Sequence, residues 1–162
     1  MRDLVPFVPS LPAMSTAAIR QVTDFETRLL AEPQLASETT HVLHAGMYSR
    51  TMRLAPGTVI TGAQIKVPTL LVIHGDCMVW LGMAAQRITG FGTIPAAAGR
   101  KQVFRALTET HINMIFPTTA RTVEEAEREF TDDHERLASR RSDHRNHVII
   151  TDAGKSASKS ID

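Results

Sequence analysis

Between Gly46 and Phe116 the chain reads as a succession of short apolar stretches broken by turn residues, and this pattern limits the fold more than any other feature. "MYSRTMRL" alternates in character and runs into Pro56-Gly57, a turn pair. "TVITGAQI" and "TLLVI" follow, then His74-Gly75-Asp76 as a turn, then "CMVWL" closed by Gly82. "QRIT" is short, Gly90 and Gly92 bracket Phe91, and "TIPAAAGRK" carries a proline and a tight turn at Gly99. "QVFRAL" and "THINMIF" complete the set. Short strands at this spacing predict an antiparallel sandwich or barrel, not a parallel sheet with crossover helices.

The flanks have a different period. Ser15 is a good N-cap, and Ile19, Val22, Phe25, Leu29 and Leu30 recur at three- and four-residue spacing. They predict a helix over 15–31, stopped by Pro33. The barrel then occupies 41–118. Thr122 and Glu125 match a capping box, and Val123, Ala126, Phe130 and Leu137 give a sparse stripe in a charged helix over 122–141. Residues 142–162 read as a tail: "NHVIITD" can form a last strand, and "GKSASKSID" is polar, small and expected to be mobile on its own. Residues 1–14 hold Pro6, Pro9 and Pro12, which predict an extended arm. Its apolar residues Leu4, Val5, Phe7, Val8 and Leu11 are expected to lie on a surface, of their own domain or of a neighbour. They are the candidate assembly residues. With three prolines and no continuous apolar core, this segment does not read as a signal peptide.

Composition narrows the partners. The 162 residues fit one domain plus arms, and 43% hydrophobic with 22% charged residues is ordinary for a globular chain. A net charge of +1 offers no field for nucleic acid or anionic lipid. One Trp and one Tyr do not supply the aromatic and basic interleaving that stacking on bases requires. Arg136, Arg140, Arg141 and Arg145 alternate with Asp132, Asp133, Glu135 and Asp143, so they read as a solvated face. No apolar run approaches the ~20 residues of a membrane span. The single Cys77 has no disulfide partner and no zinc spacing. That fits a reducing compartment, and its apolar setting makes it buried filler rather than a nucleophile.

The order of the pieces carries a resemblance. "HAGMYSRTMRLAPGTVITG", a strand ending in "HGD", "ITGFGTIPAAAGRKQVFRAL" and "THINMIF" together resemble the small single-domain cupins, and most closely cupin-like proteins encoded by bacteriophages. The resemblance covers about residues 15 to 135. It implies a mainly β fold: a cupin-type antiparallel jelly-roll barrel of six to eight strands, flanked by an N-terminal and a C-terminal helix. In that family a glycine, a His-x-His pair, a glutamate and a later glycine, then a proline-glycine turn and a third histidine, hold a divalent ion. Here Gly62 and Gly75 stand at the glycine positions. Between them no histidine or carboxylate occurs before His74 at the turn. Pro95 and Gly99 match the second motif, and the third-histidine position falls near Lys101 or Gln102. The degenerate pocket positions are Gln64, Lys66, Thr69, Gln102 and His111. No metal or cofactor is expected, and Lys66 or Lys101 would oppose a cation there.

Other chemistry is thin. His41 and His44 lie in an extended segment and read as surface or strand-edge residues. His111 and Asn113 share a parity and read as an inward hydrogen-bonded pair. His134, His144 and His147 do not match the zinc-helix spacing, and no nucleophile elbow or phosphate loop occurs. Tyr48 and Arg50 with Glu109 could serve as acid, clamp and base. With no partner histidine in view, Tyr48 reads instead as a barrel-edge residue with its hydroxyl in water. The resemblance thus implies a non-catalytic structural or accessory protein of a phage particle, in its capsid decoration or its tail or neck. It would be a homo-oligomer meeting other phage structural proteins through its arms, made in the host cytoplasm and located in the virion, with no nucleic acid or membrane partner. The alternative is a cupin enzyme or small-molecule sensor with an atypical or absent metal, using Lys66, Gln102, Arg105 and His111.

Overall fold

The computed structural model describes residues 10–152 and the backbone of the strand Lys155–Ile161. Helix α1 spans Thr16–Leu29. Ser15 starts it, because its hydroxyl accepts the otherwise unpartnered Ala18 N–H at 3.1 Å. Seven strands follow: β1 (Glu38–His44), β2 (Met47–Leu54), β3 (Val59–Thr61), β4 (Thr69–Leu81), β5 (Ala84–Ala96), β6 (Val103–Ala106) and β7 (Thr110–Pro117). Helix α2 (Val123–Phe130) leads through two short 3-10 turns, His134–Arg136 and Ala138–Arg140, into β8 (Arg145–Asp152) and β9 (Lys155–Ile161).

Among the described residues all nine strands belong to one sheet, in the order β3-β6-β4-β7-β2-β1-β8-β9, with β5 also paired to β4. The sheet curls into a half-barrel. Alternation sets its faces: Thr39, His41 and Leu43 of β1, Tyr48, Arg50 and Leu54 of β2, and Thr110, Ile112, Met114 and Phe116 of β7 are buried, while their neighbours face outward. Ile73, Val79 and Ile94 are fully covered.

Gly75 produces the curl. Strand β4 pairs with β7 as far as His74–His111, then changes partner to β6 from Cys77–Ala106. At the change, Gly75 has φ +137°, and the Asp76 carbonyl accepts the N–H groups of Leu107 and Thr108 at 2.8 and 3.2 Å. A Cβ on Gly75 would stand 2.6 Å from the Glu109 carbonyl oxygen. Only a residue without a side chain fits there.

Several boundaries differ from the sequence reading. His74-Gly75-Asp76 is a kink inside one continuous strand, and the Gly90–Gly92 break likewise lies inside β5. The barrel region holds seven strands, within the expected six to eight; among the described residues β8 and β9 extend the sheet, and β1 pairs with β8 in parallel, so the sheet is mixed. The charged helix ends at Phe130 rather than 141: the Thr131 hydroxyl accepts the Asp133 N–H at 3.2 Å, a local turn that competes with further helix. The tail beginning at 142 is largely strand, because the free edge of β1 offers Glu38–His44 a ladder with Arg145–Thr151. Leu4, Val5, Phe7 and Val8 lie outside the described residues. Leu11 packs on its own barrel, buried, with its N–H on the Pro95 carbonyl at 2.9 Å and its carbonyl receiving the Ala97 N–H at 2.8 Å.

Substituting Gly75→Ala is expected to destabilise the fold by roughly 2–4 kcal/mol, combining left-handed backbone strain with overpacking. Urea unfolding against the parent chain measures it, with Gly90→Ala, whose Cβ would meet nothing within 4 Å, as a comparison for the backbone contribution alone.

Candidate functional site

The concave side of the half-barrel holds a cavity of about 1140 Å³, lined by apolar side chains such as Met52, Leu54, Leu71, Phe104 and Met114 together with about as many polar and charged ones. The buried polar groups around it fall into three sets, each fixed by different elements.

The first set lies between β1, β2 and β8 and is sealed from the cavity. The Asn146 side-chain N–H donates to the Ser139 carbonyl at 2.9 Å, which fixes the amide so that Oδ1 faces His41 Nε2 at 2.9 Å. An amide oxygen only accepts, so His41 carries its proton on Nε2. Its Nδ1 therefore accepts the Tyr48 hydroxyl at 2.7 Å. Burial, with the nearby Arg50 charge, pulls the His41 pKa down to about 4, and burial pushes the Tyr48 phenol up to about 12. Tyr48 also stacks near Phe130 and meets Phe116 edge-on. Two sequence expectations fail here. His41 is a core residue, not an edge residue, and it is the histidine partner that Tyr48 was expected to lack. Tyr48 is buried because β2 presents it inward beside Arg50. Both groups are neutral near pH 7, and both hydrogen-bond within the chain. Arg53 and Glu109 pair with each other at 2.5 Å on the exposed rim, away from Tyr48.

The second set ties α2 to the barrel. Glu127 is buried and pairs with Arg50 at 3.1 Å and Arg140 at 2.6 Å, while the Ser139 hydroxyl donates to its Oε1 at 2.7 Å. Arg50 also lies over the Phe130 ring. The sequence reading missed Glu127, although a signal existed: it falls on the same stripe as Val123, Ala126 and Phe130.

The third set lies along the strand entering β6. Lys101 is buried against Glu26 of α1 at 2.7 Å and the Gly62 carbonyl at 2.9 Å. Arg100 is 1% exposed. Its Nη1 donates to the Ala97 carbonyl at 2.5 Å and its Nη2 to the Thr69 hydroxyl at 2.7 Å. Arg100 Nε and Gln102 Nε2 are buried without a partner among the described residues. Burial alone draws the Arg100 pKa down to about 10, still charged at neutral pH.

Of the five degenerate pocket positions, the structure brings together two. Gln102 lines the cavity, and Thr69 is buried and holds Arg100. Gln64 and Lys66 are exposed, since Ile65 and Val67 take the inward parity, and Lys66 pairs with Asp132 at 2.6 Å. His111 points outward with Asn113, because β7 turns Ile112 and Met114 inward. His111 lies beside His74, ring centroids 6.3 Å apart, and Asn113 accepts the Ser49 hydroxyl at 2.8 Å. Arg105 is exposed as well. The alternative pocket of Lys66, Gln102, Arg105 and His111 therefore does not assemble.

A divalent ion, as the resemblance would imply, does not fit this wall. At the matched positions the buried side chains are the Thr69 hydroxyl and the Gln102 amide, no group of three His, Cys, Asp or Glu side chains gathers among the described residues, and the buried Arg100 guanidinium stands beside them.

No family model matches the sequence, and no curated protein matches it. Among solved structures the chain is similar to a cupin-2 domain containing protein from Shewanella frigidimarina, at 10% identity and TM-score 0.41, over 61% of this chain and 98% of that one. It is also similar to a cupin 2 conserved barrel domain protein from Leptotrichia buccalis, at 16% identity and TM-score 0.42, over 56% and 44% of the two chains. A third is the cupin_2 domain of an XRE family transcriptional regulator from Enterobacter cloacae, at 15% identity and TM-score 0.37, over 44% and 83%. These are partial overlaps of a curled sheet and carry no functional argument.

Because the folded His41 pKa lies below the unfolded 6.5, the unfolded chain binds the extra proton between those values. Stability is full above about pH 6.5 and falls as pH drops toward 4, by roughly 3 kcal/mol from this residue. Urea unfolding from pH 7 to pH 4 should show that slope, and His41→Gln should flatten it. Asn146→Ala removes the amide that holds both His41 and the Ser139 carbonyl and should cost about 1–3 kcal/mol in the same assay.

Proposed function

We propose that this chain is a non-catalytic, cupin-type half-barrel that works by binding and assembly, and that it serves as an accessory structural protein of a phage particle. The observation that carries the non-catalytic part is the state of its buried acids and bases. His41, Tyr48, Arg50 and Glu127 are each committed to partners within the chain, and among the described residues no ligand set for a metal gathers.

Assembly is supported by the convex face. Cross-strand pairing lines up Pro95, Leu70, Ile115, Ser49, Val42 and Ile149 across six strands, with Thr93, Val72, Asn113, Thr51 and Thr40 as the next row. No Asp, Glu, Lys or Arg interrupts either row. A convex sheet face with two uncharged rows suits contact with a second copy or with another structural subunit. The particle itself, and location in a virion after synthesis in the host cytoplasm, rest on the sequence resemblance. In this reading the arm residues before Leu11 add to the contact.

Light scattering on the full chain is expected to give an oligomer, and Val72→Lys, which places a charge in the middle of the face, is expected to give a monomer. Elemental analysis of the purified protein is expected to find well under one equivalent of Fe, Mn, Ni or Zn. A monomeric parent chain removes the assembly reading, and a stoichiometric metal removes the non-catalytic one. Absence of the chain from purified virions removes the particle role.

A further inference from the structure

One edge of the sheet is long and bare, and the described chain begins to cover it at one end. Strand β5 runs for 13 residues and pairs with β4 alone among the named strands. Among the described residues its outer edge makes backbone bonds to one residue. Leu11 donates to the Pro95 carbonyl at 2.9 Å and accepts the Ala97 N–H at 2.8 Å. This is a parallel bridge, with Leu11 opposite Ala96. The register of β5 on β4 does not slip between Ala96 and Ala84, so Thr93 and Phe91 direct their N–H and C=O groups to the same outer side as Pro95. Arg87 is the one charged residue of β5, and Phe91 is 73% exposed. A long edge with so little charge is a template for another strand.

We propose that the segment 1–9 continues back from Leu11 as a further strand on the β5 edge of its own chain. Direction, phase and length agree. A parallel bridge at Leu11 sends the preceding residues along β5 toward Gly92 and Gly90. Ten residues precede Leu11, and at about 3.3 Å each they reach past Gly90. The phase set by Leu11 turns the backbone N–H groups of odd residues toward β5 and those of even residues toward water. Pro6 and Pro12 fall at even positions, where a missing donor is harmless. Pro9 falls at the rung of Pro95, so neither strand leaves an N–H group unpaired there. Phe7 then gives its N–H to the Phe91 carbonyl and accepts the Thr93 N–H. The side chains fit the same phase. Leu11 and Ala96 are buried on the concave side, which places Phe7 beside Gly92 and Val5 beside Gly90. A Cβ on either glycine would meet nothing within 4 Å, so both leave open space for a large apolar neighbour. Val8 comes beside Thr93 and Pro6 beside Phe91, on the convex side. The inference does not rest on the assembly reading, since a monomer can carry this strand.

The test is a disulfide across the new ladder in the full-length chain. Val8→Cys with Thr93→Cys puts two thiols side by side on the convex side, whereas Phe7→Cys with Thr93→Cys puts them on opposite faces. Cys77 is fully buried and takes no part. Under mild oxidation the first pair is expected to close within one chain, at least about tenfold faster than the second, read on a non-reducing gel and by mass after proteolysis. Hydrogen exchange gives a second readout. The Phe91 and Thr93 amides are expected to exchange about tenfold or more slower in the parent chain than in Phe7→Pro, which removes a donor facing the edge. Val8→Pro, whose nitrogen faces water, should leave them within about twofold of the parent. Failure of the Val8–Thr93 pair to close, or equal closure of the Phe7–Thr93 pair, overturns the proposal. So does equal exchange in the parent and in Phe7→Pro. A disulfide between two chains also overturns it, because the arm then lies on a second copy. Light scattering of the parent chain reads the assembly separately, so either reading can fail alone.

Discussion

Much of this structure hangs on the carboxylate of Glu127. It is buried, and two arginines from different parts of the chain converge on it, Arg50 from the barrel and Arg140 from the segment after α2. Removing charges from water is expensive, and a buried pair repays that cost only with good geometry and further hydrogen bonds. Ser139 supplies one of those bonds. The contact therefore fixes α2, the 3-10 turns and β2 as one unit, and β8 follows directly from it. Asn146 then reaches back to the Ser139 carbonyl and across to His41, so the polar interior forms a connected chain from α2 to β1.

The same interior explains the division between the sealed and the open parts of the half-barrel. Where β1, β2 and β8 meet, the donors and acceptors described on His41, Tyr48 and Asn146 are matched, and the groups are held in one protonation state. Along the approach to β6 the matching is incomplete. A permanent cation with spare donors there is the reverse of a metal pocket: it offers positive charge instead of asking for it. The resemblance to cupins implied an ion held by histidines; at those places Gln64 and Lys66 face outward, and the buried wall holds Gln102 beside the Arg100 guanidinium.

Much of the fold was legible from local signals. Ser15, Pro33, the Thr122–Glu125 pair and the strand alternation mark elements that depend on neighbours in sequence. What was missed depends on partners far along the chain. Gly75 reads as a turn because glycine punctuates, and only the change of partner from β7 to β6 shows that it bends a strand. The parity of Ile65, Val67, Ile112 and Met114 decides that Lys66 and His111 face outward, and that parity is ambiguous when both phases of a strand mix polar and apolar residues. Arg100 could not be singled out, because its hydroxyl partner Thr69 lies 31 residues away. Glu127 could have been, as a charge on an apolar stripe.

The parallel ladder between β1 and β8 has a consequence for the order in which the chain is made. Its two strands lie about a hundred residues apart, as the 107-residue separation of Ser37 and His144 shows. During synthesis the first strand emerges early, pairs with β2, and waits with its other edge bare until β8 follows. Closing so long a loop is entropically slow, and an unpaired strand edge is a template for other chains. The nascent protein is thus most exposed to misassociation on the ribosome just before its last strands appear, and a chaperone that covers β1 would serve it better than one that accelerates folding of the helix.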